Sequence, residues 1–72
     1  MSARRHDVLP PTRLALAVRD EIARHSGRAA AARVGVSPAT LARIAARLPG
    51  SRPITEFVAR RLGIDLDEAD NG

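Results

Sequence analysis

Seventy-two residues, 44% of them apolar, set the scale of one small domain, which buries only about 60% of its unfolded surface and so has a modest core. The absence of cysteine removes disulfides and thiolate metal sites, and no apolar run approaches the roughly 20 residues of a membrane span. The net charge is +4 with every basic side chain an arginine, an uneven distribution that suits a polyanion-binding surface.

The unevenness lies along the chain. Eight arginines stand between Arg24 and Arg61 against the single acid Glu56, a local balance of +7. Asp65, Asp67, Glu68 and Asp70 then follow with no base, a balance of −4. Arginine to the exclusion of lysine, beside abundant alanine, reads as GC-rich codon usage, which leaves the clustering unexplained. Phe57 is the only aromatic residue, so the core must rest on Leu, Ile and Val with closely packed alanines. That composition favours helices over strands. Residues 1–6 lack the apolar stretch of a signal peptide, and the expectation is a soluble cytoplasmic (nucleoid-associated) protein.

Residues 1–11 show no apolar periodicity and end in Pro10-Pro11, which predicts a flexible basic arm. Thr12 is placed to cap a first helix over 13–25, whose Leu14, Val18 and Ile22 recur at i, i+4, i+8 and form one inward stripe. Asp20 and Arg24 are spaced for an i, i+4 ion pair. Ser26 and Gly27 end this helix and start a second over 28–34. Gly35 follows where the chain must turn sharply, because glycine reaches positive φ without a Cβ clash. Ala31, four residues earlier, is small enough for a second helix to cross closely. Ser37 caps a third helix and Pro38 opens it, and this helix is predicted over about 38–48 with Leu41, Ile44, Ala45 and Leu48 inward. Pro49-Gly50-Ser51 signals a turn. Pro53 then opens a fourth helix to about Leu62, burying Ile54, Phe57, Val58 and Leu62, with Gly63 as its stop. Ile64 and Leu66 add a short terminal turn, and 67–72 is predicted to be a disordered acidic tail. No repeat and no strand is expected.

The segment GRAAAARVGVSPATLARIAA, from Gly27 to Ala46, thus reads as a helix-turn-helix. Ala31, Gly35, Val36-Ser37, Leu41 and Ile44, with GSRPITEFVARRLGI beyond them, resemble the phage-repressor (Cro-type, or XRE) family over roughly residues 13–66. The resemblance implies an all-α, lambda-repressor-like bundle of four to five helices in a domain spanning 12–66. It also implies a sequence-specific DNA-binding transcriptional regulator of bacterial, phage or plasmid type. In that family the third helix enters the major groove and the preceding helix crosses the backbone. Carried onto this chain, the base-contact positions are Pro38, Ala39 and Arg43. Pro38 and Ala39 offer only apolar contact where many members carry glutamine, so Arg43 is the one strong reader, able to fork onto guanine or to clamp a phosphate, with a solvated helix arginine as the third alternative. Phosphate contacts are expected from Arg28, Ser37, Thr40, Arg47 and Arg52. Ser37 and Thr40 have equal claims as local caps, and Gly27 lacks the polar side chain often found at its position. Arg60 and Arg61 complement a helix C-terminus.

Arg4 and Arg5 are candidates for a minor-groove arm, and their alternative is an idle basic tail. His6 and His25 read as surface side chains, with no metal and no cofactor implied. Nothing suggests a catalytic set or a small-molecule ligand, so an enzyme is not expected. Double-stranded DNA bound by a homodimer is the expected partnership. Ile64 and Leu66 either form the dimer contact or fold back on their own protomer. The acidic end either competes with phosphates or aids solubility. The same fold also serves protein binding, as an adaptor or regulator-binding module.

Overall fold

The computed structural model describes residues 7–66. Its elements in order are β1 (Asp7–Val8), α1 (Thr12–His25), α2 (Gly27–Val34), α3 (Pro38–Ala45), β2 (Gly50–Ser51) and α4 (Arg52–Arg61). The fold is mostly helical, and α1, α2 and α3 pack on one another. Their shared core is Leu14, Val18, Ala30, Ala31, Val34, Leu41 and Ile44, to which α4 adds Val58 and Ala59. Leu14 and Val18 are fully buried, with Ile22 packed at the edge, as a stripe at i, i+4, i+8 requires. Ala30 and Ala31 are buried on α2, a face on which a larger side chain would hold the packed helices apart. No helix of the described residues is long and apolar enough to cross a membrane.

Helix ends depart from the sequence expectation in ways the backbone explains. Pro11, not Thr12, is the residue before α1, and it makes no side-chain cap; Thr12 is itself the first helical residue. Gly27 rather than Arg28 begins α2, because Ser26 takes the unusual φ of 98° and its Oγ accepts a hydrogen bond from the Ala29 N–H at 3.2 Å. Gly27 therefore has no need of glycine's freedom, and a Cβ there would meet nothing within 4 Å. Gly27→Ala is expected to raise stability by about 0.5 kcal/mol by restricting the unfolded chain, an outcome that urea denaturation reads as a higher midpoint at unchanged slope.

The turn between α2 and α3 follows the expected pattern. Gly35 sits at φ 99°, and both its N–H and that of Val36 bond to the Ala31 carbonyl, at 2.7 and 3.1 Å. Ser37 Oγ accepts from the Thr40 N–H at 3.1 Å and donates to Thr40 Oγ1 at 2.9 Å, with Pro38 opening α3.

The α3 helix stops at Ala45, three residues before the expected Leu48. The Leu48 N–H bonds back to the Arg43 carbonyl and the Arg47 N–H to that of Ile44, the paired bonds of a Schellman stop. Arg47 occupies the left-handed position of that stop at φ 57°, and Leu48 beyond it is half exposed rather than buried.

The inward face of α4 is also corrected. Ile54 and Phe57, expected in the core, are each 43% exposed, and Thr55, Val58 and Ala59 are buried instead. Thr55 can take a core position because its hydroxyl donates to the Ser51 carbonyl at 2.8 Å, one turn back. Thr55, Val58, Ala59 and Leu62 then share one helical stripe at i, i+3, i+4, i+7. Phe57 on the adjoining face lies over Gly35, where a Cβ would stand 3.4 Å from the ring. The Arg61 guanidinium is 5.9 Å from the centre of that ring.

A strand pair was not expected, yet β1 and β2 pair antiparallel with Asp7 opposite Ser51 and Val8 opposite Gly50. Pro10 and Pro11 are buried behind it. Residues 7–11 are therefore a docked strap, and the arm reading keeps only residues 1–6, which with Arg4 and Arg5 lie outside the described residues. The acidic tail 67–72 also lies outside them.

Candidate functional site

Only Leu41, Ile44 and, partly, Ala45 of α3 face the core. The opposite face carries Pro38, Ala39, Ala42 and Arg43, all exposed, and continues into the exposed Ala46 beyond the helix. Helical periodicity thus brings the three expected base-contact positions onto one surface. It is sterically slight, and Arg43 is its only charged member. One Nη of Arg43 donates to the Pro49 carbonyl at 2.9 Å, which orients the guanidinium across the start of the following loop. Most of its five N–H donors remain for a second partner.

At the N-terminal end of this face, Ser37 and Thr40 are joined to each other. The Ser37 proton is used in that bond, while the hydroxyl proton of Thr40 stays available to an acceptor. The Arg28 side chain is exposed in the first turn of α2 and makes no hydrogen bond or ion pair among the described residues. Its position beside the free N–H groups at the start of a helix favours an anion.

The other two expected phosphate contacts are engaged elsewhere. Arg47 Nε donates to the Pro10 carbonyl at 2.6 Å in a partly buried bond, so this side chain ties the strap to the end of α3. Arg52 Nε is 2.8 Å from Glu56 Oε2, an exposed i, i+4 pair of small energetic worth. Sequence reasoning missed a third anchor, Arg19, whose Nε donates to the Ala45 carbonyl at 2.8 Å and caps the last turn of α3 from α1. Twenty-six residues separate those partners, and no local pattern links them.

Between α3, β2 and the start of α4 lies a groove of about 280 Å³ lined by Ile44, Leu48, Pro49 and Ile54 and by the polar Asp7, Thr40, Arg43, Ser51 and Thr55. Arg33, Arg60 and Arg61 line a second, basic hollow together with Glu21. His25 Nε2 is 3.8 Å from Glu21, and no three metal-ligating side chains gather among the described residues. Comparison of the chain with protein-family models, with curated proteins and with solved structures finds no match.

Proposed function

We propose that this chain is a sequence-specific double-stranded-DNA-binding regulator of the Cro type. On this reading α2 and α3 form its helix-turn-helix, in a lambda-repressor-like domain of the cytoplasm. The observation that carries the proposal is the division of labour on α3. Leu41 and Ile44 fix the helix to the core, while Pro38, Ala39, Ala42 and Arg43 stand clear on the opposite face. A two-turn helix so held, with capped ends, suits insertion into a major groove about 12 Å wide. Arg43 reads a guanine edge and Pro38 and Ala39 touch thymine methyl groups. Arg28, Thr40 and Arg52 grip phosphates, Arg52 by exchanging Glu56 for a phosphate oxygen.

One α3 carries a single strong base reader, too little for the roughly 10³-fold or greater specificity a regulator needs. The proposal therefore includes a homodimer on a pseudo-palindrome, with half-sites about 34 Å apart. Ile64 and Leu66 pack against their own core, so the dimer contact is assigned to other residues. Sedimentation of the complex tests the stoichiometry, and one protomer on a non-symmetric minimal site excludes the dimer.

Mobility shifts with a random DNA pool at low and moderate salt test the binding itself. Arg43→Ala is expected to cost about 1–3 kcal/mol on the selected site and to relax preference at one base pair, whereas Arg28→Ala weakens all sequences alike. Equal losses on specific and random DNA for both variants reject Arg43 as a reader.

The groove beside α3 favours a second reading, a protein-binding module. Half-exposed Leu48 and Ile54 line it beside α3, and an apolar side chain of a partner would cover them. DNA binding that is absent even at low salt selects this reading.

A further inference from the structure

The last four carbonyls of α3, from Ala42 to Ala45, lie beyond the reach of amides inside the helix. The chain that follows satisfies three of them: the N–H of Ala46 bonds to Ala42, that of Leu48 to Arg43 and that of Arg47 to Ile44. Those bonds belong to the helix end itself and travel with it. The fourth is different. The Ala45 carbonyl receives Arg19 Nε at 2.8 Å, which refers the end of α3 to α1, a helix whose Leu14 and Val18 are fully buried. The end of α2 shows the same device, its Arg33 carbonyl receiving an Arg61 Nη of α4 at 3.1 Å.

The apolar contacts of α3 set its direction less firmly. Leu41 and Ile44 are its buried side chains, separated by roughly 4.5 Å along the helix axis, and apolar burial is non-directional. About so short a seam the helix tilts or rolls with both side chains still buried. The hydrogen bond to Ala45 is directional and closes the C-terminal end of that seam. Arg43 stands two residues before it. A guanidinium about 8 Å from the helix axis moves by about 2 Å when the helix rolls by roughly 15°, more than a forked contact to a base edge tolerates.

We propose that Arg19 is a positioning residue for DNA recognition: its bond to the Ala45 carbonyl sets the angle of α3 on the core and so aims Arg43 at its base. Arg19 itself touches no DNA, and its charge is no part of the phosphate grip. Its consequence is selectivity, because a misdirected α3 still meets phosphates but no longer presents its reader squarely to a base edge. The aiming rests on the proposed DNA-binding function; the angle of α3 does not.

The test compares Arg19→Met with Arg13→Met in the full chain. Both side chains are exposed on α1 and both substitutions remove one positive charge, but the Arg13 side chain makes no hydrogen bond or ion pair among the described residues. Residual dipolar couplings of the backbone N–H groups report the direction of α3 against α1 and α2 without DNA. One alignment is expected to fit all three helices in the unsubstituted protein and in Arg13→Met. In Arg19→Met, α3 is expected to depart from it by about 10–20°. Affinity for the selected site is expected to fall by about five- to tenfold in Arg19→Met at an unchanged salt slope, while affinity for random DNA matches that of Arg13→Met. Couplings of α3 that keep the common alignment in Arg19→Met overturn the proposal. Losses of equal size on selected and random DNA overturn the aiming, because they report charge or stability alone. A smaller salt slope also overturns it, because it places Arg19 on a phosphate. A protein that binds no DNA overturns the proposed function and the aiming together, while the couplings still decide whether Arg19 sets the angle.

Discussion

Ala31→Glu is expected to leave little folded protein at ambient temperature. Ala31 is 1% exposed where α2 meets the core, and its carbonyl already receives the N–H groups of Gly35 and Val36. A glutamate there either clashes with the packed helices or carries an unpaired charge into an apolar site, at a cost of about 3–5 kcal/mol. A domain of this size has a total stability near 5 kcal/mol. Gly35→Val tests the same turn more gently. At φ 99° a β-branched side chain is strained, and its Cβ would press on the Phe57 ring at 3.4 Å. A loss of about 1–3 kcal/mol is expected, or roughly 4–8 °C in melting temperature for each kcal/mol. Thermal melts followed by circular dichroism measure both, and curves unchanged by either substitution overturn the assigned turn.

The second large effect is electrostatic. With Arg28 and Arg52 of each protomer on phosphates, log K is expected to fall against log salt with a slope of about −2 per protomer. Raising salt from 50 to 200 mM then weakens binding by about 16-fold per protomer. The motivation is the +7 balance between Arg24 and Arg61. Arg47, held by the Pro10 carbonyl, is expected to leave this slope unchanged when replaced by Gln, whereas Arg28→Gln lowers it by about 1. Titrations at four salt concentrations measure the slope, and a salt-insensitive interaction excludes the phosphate grip.

Local chemistry made parts of this molecule legible in advance. Ser37 and Pro38 announce a helix start because a cap and a fixed φ act within one turn, and Gly35 announces a stop for the same reason. The exposure of Pro38, Ala39 and Arg43 followed from assigning Leu41 and Ile44 inward. What escaped the sequence depends on partners far along the chain or on competition between neighbours. Hydropathy ranks Ile54 and Phe57 above Thr55, yet Thr55 reaches the core because the Ser51 carbonyl satisfies its hydroxyl. Gly27 looks like the residue for positive φ, but Ser26 takes it while also capping α2. Arg47 looks like a surface cation and is the residue that ends α3 and holds the strap. The strand pair has two residues on each side, too few for any alternation to register.

The strap also has a place in the order of folding. Helices α1, α2 and α3 follow one another closely in sequence, so their mutual contacts close short loops. The β1–β2 pairing joins Asp7 to Ser51, and the Arg47–Pro10 bond spans 37 residues. Contacts of such separation carry a larger closure entropy and form after the local ones have shortened the chain. The strap therefore docks last and, held by a short ladder and one guanidinium, opens before the helices do.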